Sequence, residues 1–316
     1  MAAILLRRLR WLPIVLLGVS IITFSFTYLT PGDPVMNILW ARYGQDFIPN
    51  DELLNRIRAE AGLDRPLPLQ YLNWLARLVR GDLGESFVDK KPIVETLTRR
   101  FPVTLRVGGA SLTLALLVAV PLGTWAATHP YSWIDTLSTI VSNIGVAVPQ
   151  YWIGPVLILA LSVKLRLLPT AGWGTAKHLV MPVLTLSLMP LAFFTQMVRA
   201  GLLEVLQQDY IRTARAKGLP PRAVLWRHAF KNAFIPLVSV FGLRITAALA
   251  GSVIVESIFA VPGIGSTMYQ AVRFRDLPMM QACTLIFVGA ALIANALADV
   301  TYVLLNPTIH YGRGPT

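Results

Sequence analysis

The sequence predicts an all-α polytopic membrane protein with six transmembrane helices. Hydrophobic residues make up 55% of the 316 and charged residues only 14%, whereas soluble domains carry about 25% charged residues. The mean hydropathy is +0.60. A spanning helix needs about 20 mostly apolar residues, and six segments meet that length. The predicted spans lie at residues 11–29, 104–127, 136–162, 179–199, 233–259 and 280–305.

The first predicted span follows a basic N-terminus and superficially looks like a secretory signal. Arg7, Arg8 and Arg10 precede the apolar stretch over 11–29. That stretch is longer than the apolar region of a signal peptide, which has about 7 to 15 residues. The segment after it, Thr30–Pro34, lacks the small-x-small pattern of a cleavage site. We therefore predict an uncleaved first transmembrane helix that completes a unit over residues 1–29.

Residues 30–103 form a polar segment between the first two predicted spans. Its ten basic and ten acidic residues cancel. Apolar residues recur at helical spacing over 51–60 and 69–79, and Asp51 is placed to cap the first of these helices. The segment is too short and too polar for a large enzyme core. We predict a small helical insertion on the exported, periplasmic side of the membrane.

The following residues, 104–305, are predicted to form the membrane core, with a short tail over 306–316. Pro and Gly inside a span would disrupt a helix in water, but neighbouring helices in a membrane bundle satisfy the freed backbone groups. We expect kinks at Pro121, Pro149, Pro155, Pro182, Pro190 and Gly242.

A basic loop over about 200–232 interrupts this core. Its stretch Asp209–Lys217 is rich in good helix formers, and Gly218 can adopt the positive φ that ends a helix. Pro220 and Pro221 then prevent the helix from continuing, and Pro221 or Arg222 can open a second short helix. The pattern predicts a helix, a tight turn and another helix at one membrane face.

The distribution of basic residues predicts the orientation. The segment 199–232 holds seven bases and two acids, and Lys and Arg collect in cytoplasmic loops. Six spans place both termini on the same side as this loop, so all three are predicted to be cytoplasmic. Lys164, Arg166 and Lys177 lie on the opposite side in this topology, which runs against the rule.

Several function classes find no support in the residues. The chain has no Gly-x-x-x-x-Gly-Lys-Ser/Thr loop, no His-Glu-x-x-His and no Gly-x-Ser-x-Gly, so we predict no nucleotide site, no catalytic site and no enzymatic activity. A single cysteine excludes an internal disulfide and a cysteine-rich metal site. The basic balance in such an apolar chain indicates topology rather than nucleic-acid binding. The four histidines, predicted to be interfacial rather than metal ligands, are His129, His178, His228 and His310.

Ionisable residues inside predicted spans are further candidates for function, because a charge at the centre of a span is costly. These residues are Arg244, Glu256 and Asp299. Arg244 and Glu256 are about 18 Å apart along one helix and cannot pair directly. Structural roles at interfaces and participation in a translocation path both remain open for the three side chains.

Sequence stretches along almost the whole chain identify a family. The basic loop, with Asp209–Leu219 followed by Asn232–Pro236, resembles the cytoplasmic "EAA" coupling loop of bacterial ABC importer permeases, in the dipeptide/oligopeptide/nickel branch. Further stretches with the same resemblance are Gly81–Ser86, Arg100–Leu105, Leu168–Gly172 and Val255–Gly265. The broad family pattern has Glu-Ala-Ala at the three positions that are Arg212, Thr213 and Ala214 in this chain. This departure from the broad pattern resembles the peptide branch. Residues Leu305–Tyr311 depart from the Asp-Pro-Arg-Ile-Arg-like tail of many members.

The resemblance implies a permease subunit of an ATP-driven importer in the bacterial inner membrane. ATP and Mg²⁺ would bind to two partner subunits, a binding protein would deliver the solute, and a second, different permease would complete the path through the lipid bilayer. A peptide or similar small polar solute is the first expectation, with nickel or another chelated solute as an alternative; a gradient-driven carrier is the competing class. Residues implied in coupling to the ATPase are Asp209, Tyr210, Arg212, Thr213, Ala214, Arg215, Ala216, Lys217, Gly218 and Leu219.

Overall fold

A computed structural model describes residues 2–29, 32–44 and 46–305; the predicted tail over 306–316, with His310, lies outside them. The described chain is almost entirely helical, and its one β-bridge joins Glu85 to Pro92. The helices are α1 (Ala2–Leu29), α2 (Pro34–Tyr43), α3 (Asp51–Glu60), α4 (Leu67–Val79), α5 (Ile93–Thr128), α6 (Trp133–Ala147), α7 (Gln150–Leu157), α8 (Ala176–Val205), α9 (Asp209–Ala216), α10 (Pro221–Ala223), α11 (Phe230–Ala233), α12 (Ile235–Ile258), α13 (Ile264–Arg273) and α14 (Leu277–Leu305). Two π-helical segments, Ile158–Lys164 and Val224–Ala229, continue α7 and α10.

Four helices of the described chain are individually long and apolar enough to cross a membrane: α5, α8, α12 and α14. Two further candidates are bent pairs of helices, one made of Pro13–Leu29 with α2 and the other of α6 with Gln150–Lys164. Counting each bent pair as one span gives up to six, which is the predicted number. Helix α5 begins at Ile93, eleven residues before the start predicted for the second span.

The predicted third span over 136–162 is not one continuous helix. The chain bends by 105° between α6 and α7. Val148 adopts an extended conformation with ψ of 121°, and Pro149 precedes the first residue of α7. A residue before proline is driven out of the helical region by the proline ring, and proline itself cannot donate to the preceding turn. The kink predicted at Pro149 is therefore a full break.

Helix α8 lies at the centre of the bundle, packed against α5 and α6. A Cβ on Gly123 of α5 would come within 2.8 Å of the carbonyl oxygen of Thr195, and one on Gly145 of α6 within 2.6 Å of Ala192 Cβ. Small residues at these positions allow the helix backbones to approach closely, as is common in membrane bundles. Helix α14 packs against α12 and α1 on the other side of the bundle.

The insertion between the first spans is helical, as predicted, with α3 and α4 close to their predicted positions. Asp51 was predicted to cap α3, but the cap is Asn50, whose side chain accepts a hydrogen bond from the Leu53 N–H at 2.9 Å. Asn50 takes this role because it is the residue with extended backbone before the first helical turn. Ile57 of α3 packs with Val35, Ile38 and Leu39 of α2 in a small apolar core.

This insertion is attached to the junction between α13 and α14. The carboxylate of Asp276 accepts a hydrogen bond from the Ser86 hydroxyl at 2.5 Å and one from the Phe87 N–H at 3.1 Å. Arg275 donates to the Asn37 side-chain oxygen at 3.2 Å. Two adjacent residues of the junction therefore hold two separate parts of the insertion.

Candidate coupling surface

Helix α9 has one buried and one exposed face. Ile211 is fully buried and Ala214 is 6% exposed, and both pack in one core with Val198 and Leu202 of α8. The same core includes Val224 of the second π-helical segment. Residues three apart lie on the same face of a helix, which explains why these two side chains are buried together. Helix α9 is therefore fixed to the end of α8.

One of the ten residues that the resemblance implies in coupling is not on the surface of the chain. Ala214 faces the permease core. The reason is its helical phase relative to Ile211, which is set by packing against α8. Nine of the ten predicted coupling residues are exposed; these are Asp209, Tyr210, Arg212, Thr213, Arg215, Ala216, Lys217, Gly218 and Leu219.

The turn after α9 has the predicted backbone. Gly218 has a φ of +78°, and its N–H donates to the Arg215 carbonyl at 3.0 Å. Leu219 N–H reaches the Ala214 carbonyl at 3.4 Å. Glycine suits this place because a side chain at positive φ is strained even where space is open, as it is here. Helix α10 then begins at Pro221, as predicted.

Aromatic side chains brace the second half of the loop. The rings of Trp226 and Phe230 lie 4.6 Å apart, and those of Phe230 and Phe234 lie 4.0 Å apart. Asn232 donates a hydrogen bond from its amide to the Tyr210 hydroxyl at 2.9 Å, which joins α11 to α9. The loop is thus a compact unit in which the two halves contact each other.

Two close contacts join this unit to the spans. A Cβ on Gly201 of α8 would lie 2.7 Å from the Ala233 carbonyl oxygen, so α8 and α11 touch through their backbones. Two residues before Gly201, Arg199 of α8 pairs with Asp135 of α6 through two hydrogen bonds of 2.5 and 3.0 Å. Asp135 is buried and also accepts from the Tyr131 N–H. The loop is therefore in direct contact with α8, and this pair connects α8 to α6.

The Arg199–Asp135 pair and the contact at Gly201 were missed by the sequence reasoning. Arg199 was counted only as a topological charge, and Asp135 lay one residue outside the predicted third span. An acidic residue bordering an apolar run was the available signal for Asp135. Nothing in the sequence indicated which base would lie opposite it.

Glu256 has a structural role at the start of α13. It is fully buried at the end of α12, and its Oε2 accepts a hydrogen bond from the Ser266 N–H at 3.0 Å. The Ile264 N–H donates to Thr104 Oγ1 of α5 at 2.8 Å. These two acceptors satisfy N–H groups that a helix leaves unpaired in its first turn. A Cβ on Gly263 would overlap the Glu256 carboxylate, so glycine there makes room for it.

The other two intramembrane candidates lie elsewhere. The guanidinium carbon of Arg244 lies 3.4 Å from the centre of the Phe193 ring, a cation–π contact between α12 and α8. Asp299 is half-buried on α14. Arg244 and Glu256 are therefore apart, as their separation along one helix predicts. Arg244 contacts α8, and Glu256 contacts α13.

Comparisons with known proteins agree with this arrangement. Residues 119–311 match the family described as "Binding-protein-dependent transport system inner membrane component", and residues 1–108 match the N-terminal family of the same membrane components. The chain is 37% identical to the oligopeptide transport system permease protein AppB of Bacillus subtilis (strain 168), covering 98% of this chain and 100% of that one. It is 34% identical to the dipeptide transport system permease protein DppB of Escherichia coli (strain K12), covering 99% and 100%.

Two further matches extend the comparison. The glutathione transport system permease protein GsiC of Pectobacterium atrosepticum is 35% identical over 97% of this chain and 98% of its own length. An inward-facing structure of the MetNI methionine ABC transporter shares the fold, with a TM-score of 0.59 and 20% identity over 68% of this chain and 99% of that chain. The chain therefore belongs to the family of binding-protein-dependent transport system inner membrane components, as a multi-pass inner membrane permease of the dipeptide/oligopeptide/nickel branch of ABC importers.

Proposed function

We propose that this chain forms half of the translocation path of an ATP-driven importer for short peptides, and that α9 and the turn after it dock on an ATP-hydrolysing subunit. A second, different permease supplies the other half of the path. Two partner subunits bind ATP and Mg²⁺, and this chain carries no nucleotide site of its own. An external binding protein delivers the peptide.

The observation that carries the coupling role is the two-sided character of α9. Ile211 and Ala214 fix one face in the core of the bundle, while Asp209, Arg212 and Arg215 are exposed on the other. A short helix that is anchored on one face and exposed on the other can pass the motion of a docked partner to the spans. Packed cores respond to such a displacement by switching between arrangements rather than by deforming gradually.

The attachment of α8 to both α5 and α6 supports this route. The pair formed by Arg199 and Asp135 keeps the cytoplasmic end of α8 in register with α6. The close approach at Gly123 does the same for α5. Movement of α9 would therefore reorient three spans together, which is the change needed to open the path to one side and close it to the other.

The peptide is proposed as solute because of the names of similar proteins. Full-length relatives at 34 to 37% identity are oligopeptide, dipeptide and glutathione permeases, and these names favour a peptide over a nickel chelate. The binding protein is proposed to contact the insertion over 30–103 and the segment 260–279. The excess of basic residues in the loop supports the proposal that α9 and both termini are cytoplasmic, because Lys and Arg collect in cytoplasmic loops.

Site-directed cross-linking tests the docking directly. The only cysteine, Cys283, is buried, so a Cys283→Ala background allows a single new cysteine at Arg215. We expect a bifunctional thiol–amine reagent to join this residue to a co-purified ATP-binding subunit. The matched control is a cysteine at Arg77, an exposed arginine of the insertion, which should give no such product. Equal yields at the two positions, or a product only at Arg77, would refute the docking role of α9.

Affinity purification of the unmodified chain in mild detergent tests the assembly. We expect a second permease and ATP-hydrolysing subunits to be recovered with it. Recovery of this chain alone, active after reconstitution without ATP, would replace the proposal with a gradient-driven carrier.

A further inference from the structure

Helix α4 presents an exposed apolar stripe that has no partner among the described residues. Leu69, Leu72 and Val79 are 44%, 57% and 80% exposed, and Ala76 lies between them and is also exposed. These positions are spaced by three and four residues and so form one face of the helix. None of the residues in α4 is buried. An uncharged stripe of this length on a helix normally faces another protein or a membrane.

A second face of α4 packs on the first transmembrane helix. The rings of Tyr71 and Trp74 lie 5.4 and 5.8 Å from that of Phe24 in α1. The Tyr71 hydroxyl is hydrogen-bonded to that of Ser20 at 2.8 Å, and Gln70 is hydrogen-bonded to Tyr28. These contacts hold α4 beside the last third of α1, where that helix ends.

The level of these contacts places α4 at the depth of the membrane boundary. Phe24 and Ser20 lie five and nine residues before the end of α1 at Leu29, or about 7 and 13 Å along the helix axis. Tyr and Trp are enriched at the interface between acyl chains and headgroups. An amphipathic helix in that interface buries its apolar face by about 5 to 10 Å. The aromatic contacts to α1 thus lie at the level that such a helix occupies.

The third face of α4 is polar and borders a cavity. Gln70, Asn73, Arg77 and Arg80, with Ala76 at the border of the apolar stripe, line a space of about 1070 Å³ between α4, α3 and the ends of α1 and α14. Helix α4 is therefore three-sided: aromatic towards α1, polar towards the cavity, and apolar on the remaining side. On such a helix the charged side chains can lie in the polar cavity while the apolar side contacts hydrocarbon.

Helix α1, on which α4 packs, has exposed apolar side chains of its own. Ile14, Leu17, Ile21 and Ile22 of α1 are all exposed, as expected for a helix bordered by lipid. We propose that α4 is an interfacial membrane helix, with Leu69, Leu72 and Val79 in contact with lipid acyl chains at the membrane boundary where α1 ends. Part of the insertion is then embedded in the bilayer, and it fixes the tilt and depth of the first span. This inference does not depend on the solute or on ATP coupling.

Spin-label accessibility in liposomes tests the proposal. In a Cys283→Ala background, single cysteines at Leu72 and Asn73 carry a nitroxide on adjacent, exposed positions of the same helix. A label at Ile22 of α1 serves as the lipid-facing reference. The full chain is reconstituted with the subunits that co-purify with it, and collision rates with oxygen and with a water-soluble nickel chelate are measured. We expect the oxygen-to-chelate ratio at 72 to exceed that at 73 several-fold and to match that at 22.

Two outcomes would overturn the proposal. An equal, low ratio at 72 and 73 would place the stripe in water. Low accessibility to both reagents at 72, restored when the co-purified subunits are removed, would show that a protein partner covers it. A label at Val79 repeats the test about two turns away, so that a failure of the Leu72→Cys variant to fold does not decide the result.

Discussion

Arg199 and Asp135, 64 residues apart in the chain, form a two-hydrogen-bond ion pair with Nε–Oδ1 and Nη2–Oδ2 distances of 2.5 and 3.0 Å. The pair joins the end of α8 to the start of α6. Arg199 lies ten residues before Asp209, the first residue of α9. Asp135 is 7% exposed and Arg199 is about one third exposed. Geometry of this kind is stronger than an ordinary surface ion pair, because the fork of the guanidinium matches the carboxylate.

We expect Asp135→Ala to destabilise the purified chain by about 1.5 to 3 kcal/mol, because Arg199 loses its buried acceptor. Thermal unfolding can be followed by labelling of Cys283, the buried single thiol. Glu95→Ala removes the partner of Arg99 in an exposed pair on α5 and should change stability by less than about 0.5 kcal/mol. Similar losses for the two variants would contradict a special role for the buried pair.

The two faces of α9 should respond differently to truncation. Ile211→Ala opens a cavity in the core shared with α8 and is expected to cost about 2 to 5 kcal/mol. Arg212→Ala, at the adjacent exposed position, should stay within about 0.5 kcal/mol of the parent chain but lower transport-linked ATPase activity. Thiol labelling on heating and ATPase assays of the assembled complex measure the two effects. A stable, uncoupled Ile211→Ala variant would show that this face is not an anchor.

Gly218 should tolerate only residues that accept a positive φ. Gly218→Val places a β-branched side chain at φ of +78° and is expected to cost about 1 to 2 kcal/mol locally, which shifts the turn and uncouples ATP hydrolysis from transport. Gly218→Asn should retain most coupling, since Asn adopts this conformation more readily. Because no atom lies within 4 Å of the place that a Cβ would occupy, a steric clash cannot account for the difference. Equal activity of the two variants would refute the role of the backbone.

Gly263 should be sensitive to a single added methyl group. In Gly263→Ala the Cβ would overlap the Glu256 carboxylate, displacing the acceptor from the first turn of α13 at a cost of about 0.5 to 2 kcal/mol. Gly109→Ala on α5 adds the same group where no atom lies within 4 Å, and it should be neutral or stabilising by up to about 1 kcal/mol. Thermal unfolding of both variants tests this. No loss in Gly263→Ala would show that the cap is not needed.

Features that depend only on neighbouring residues could be predicted from the amino-acid sequence. The apolar runs predicted the spans, and Gly218 with Pro220 and Pro221 predicted the end of α9 and the start of α10. These predictions succeed because φ preferences, missing N–H groups and the cost of polar groups in hydrocarbon are local properties of the chain.

Contacts between distant segments depend on how the helices pack, and they could be read only from the fold. Ala214 is buried while its neighbours are exposed because α8 lies against one side of α9. Glu256 accepts a hydrogen bond from the first turn of α13, and Gly263 leaves the space that its carboxylate occupies. Asp135 and Arg199 pair because α6 packs on α8. The position of Glu256 in an apolar run indicated that its burial is costly, but its hydrogen-bond partner could not be predicted. Contacts between residues far apart in the chain depend on helix packing and not on local preference.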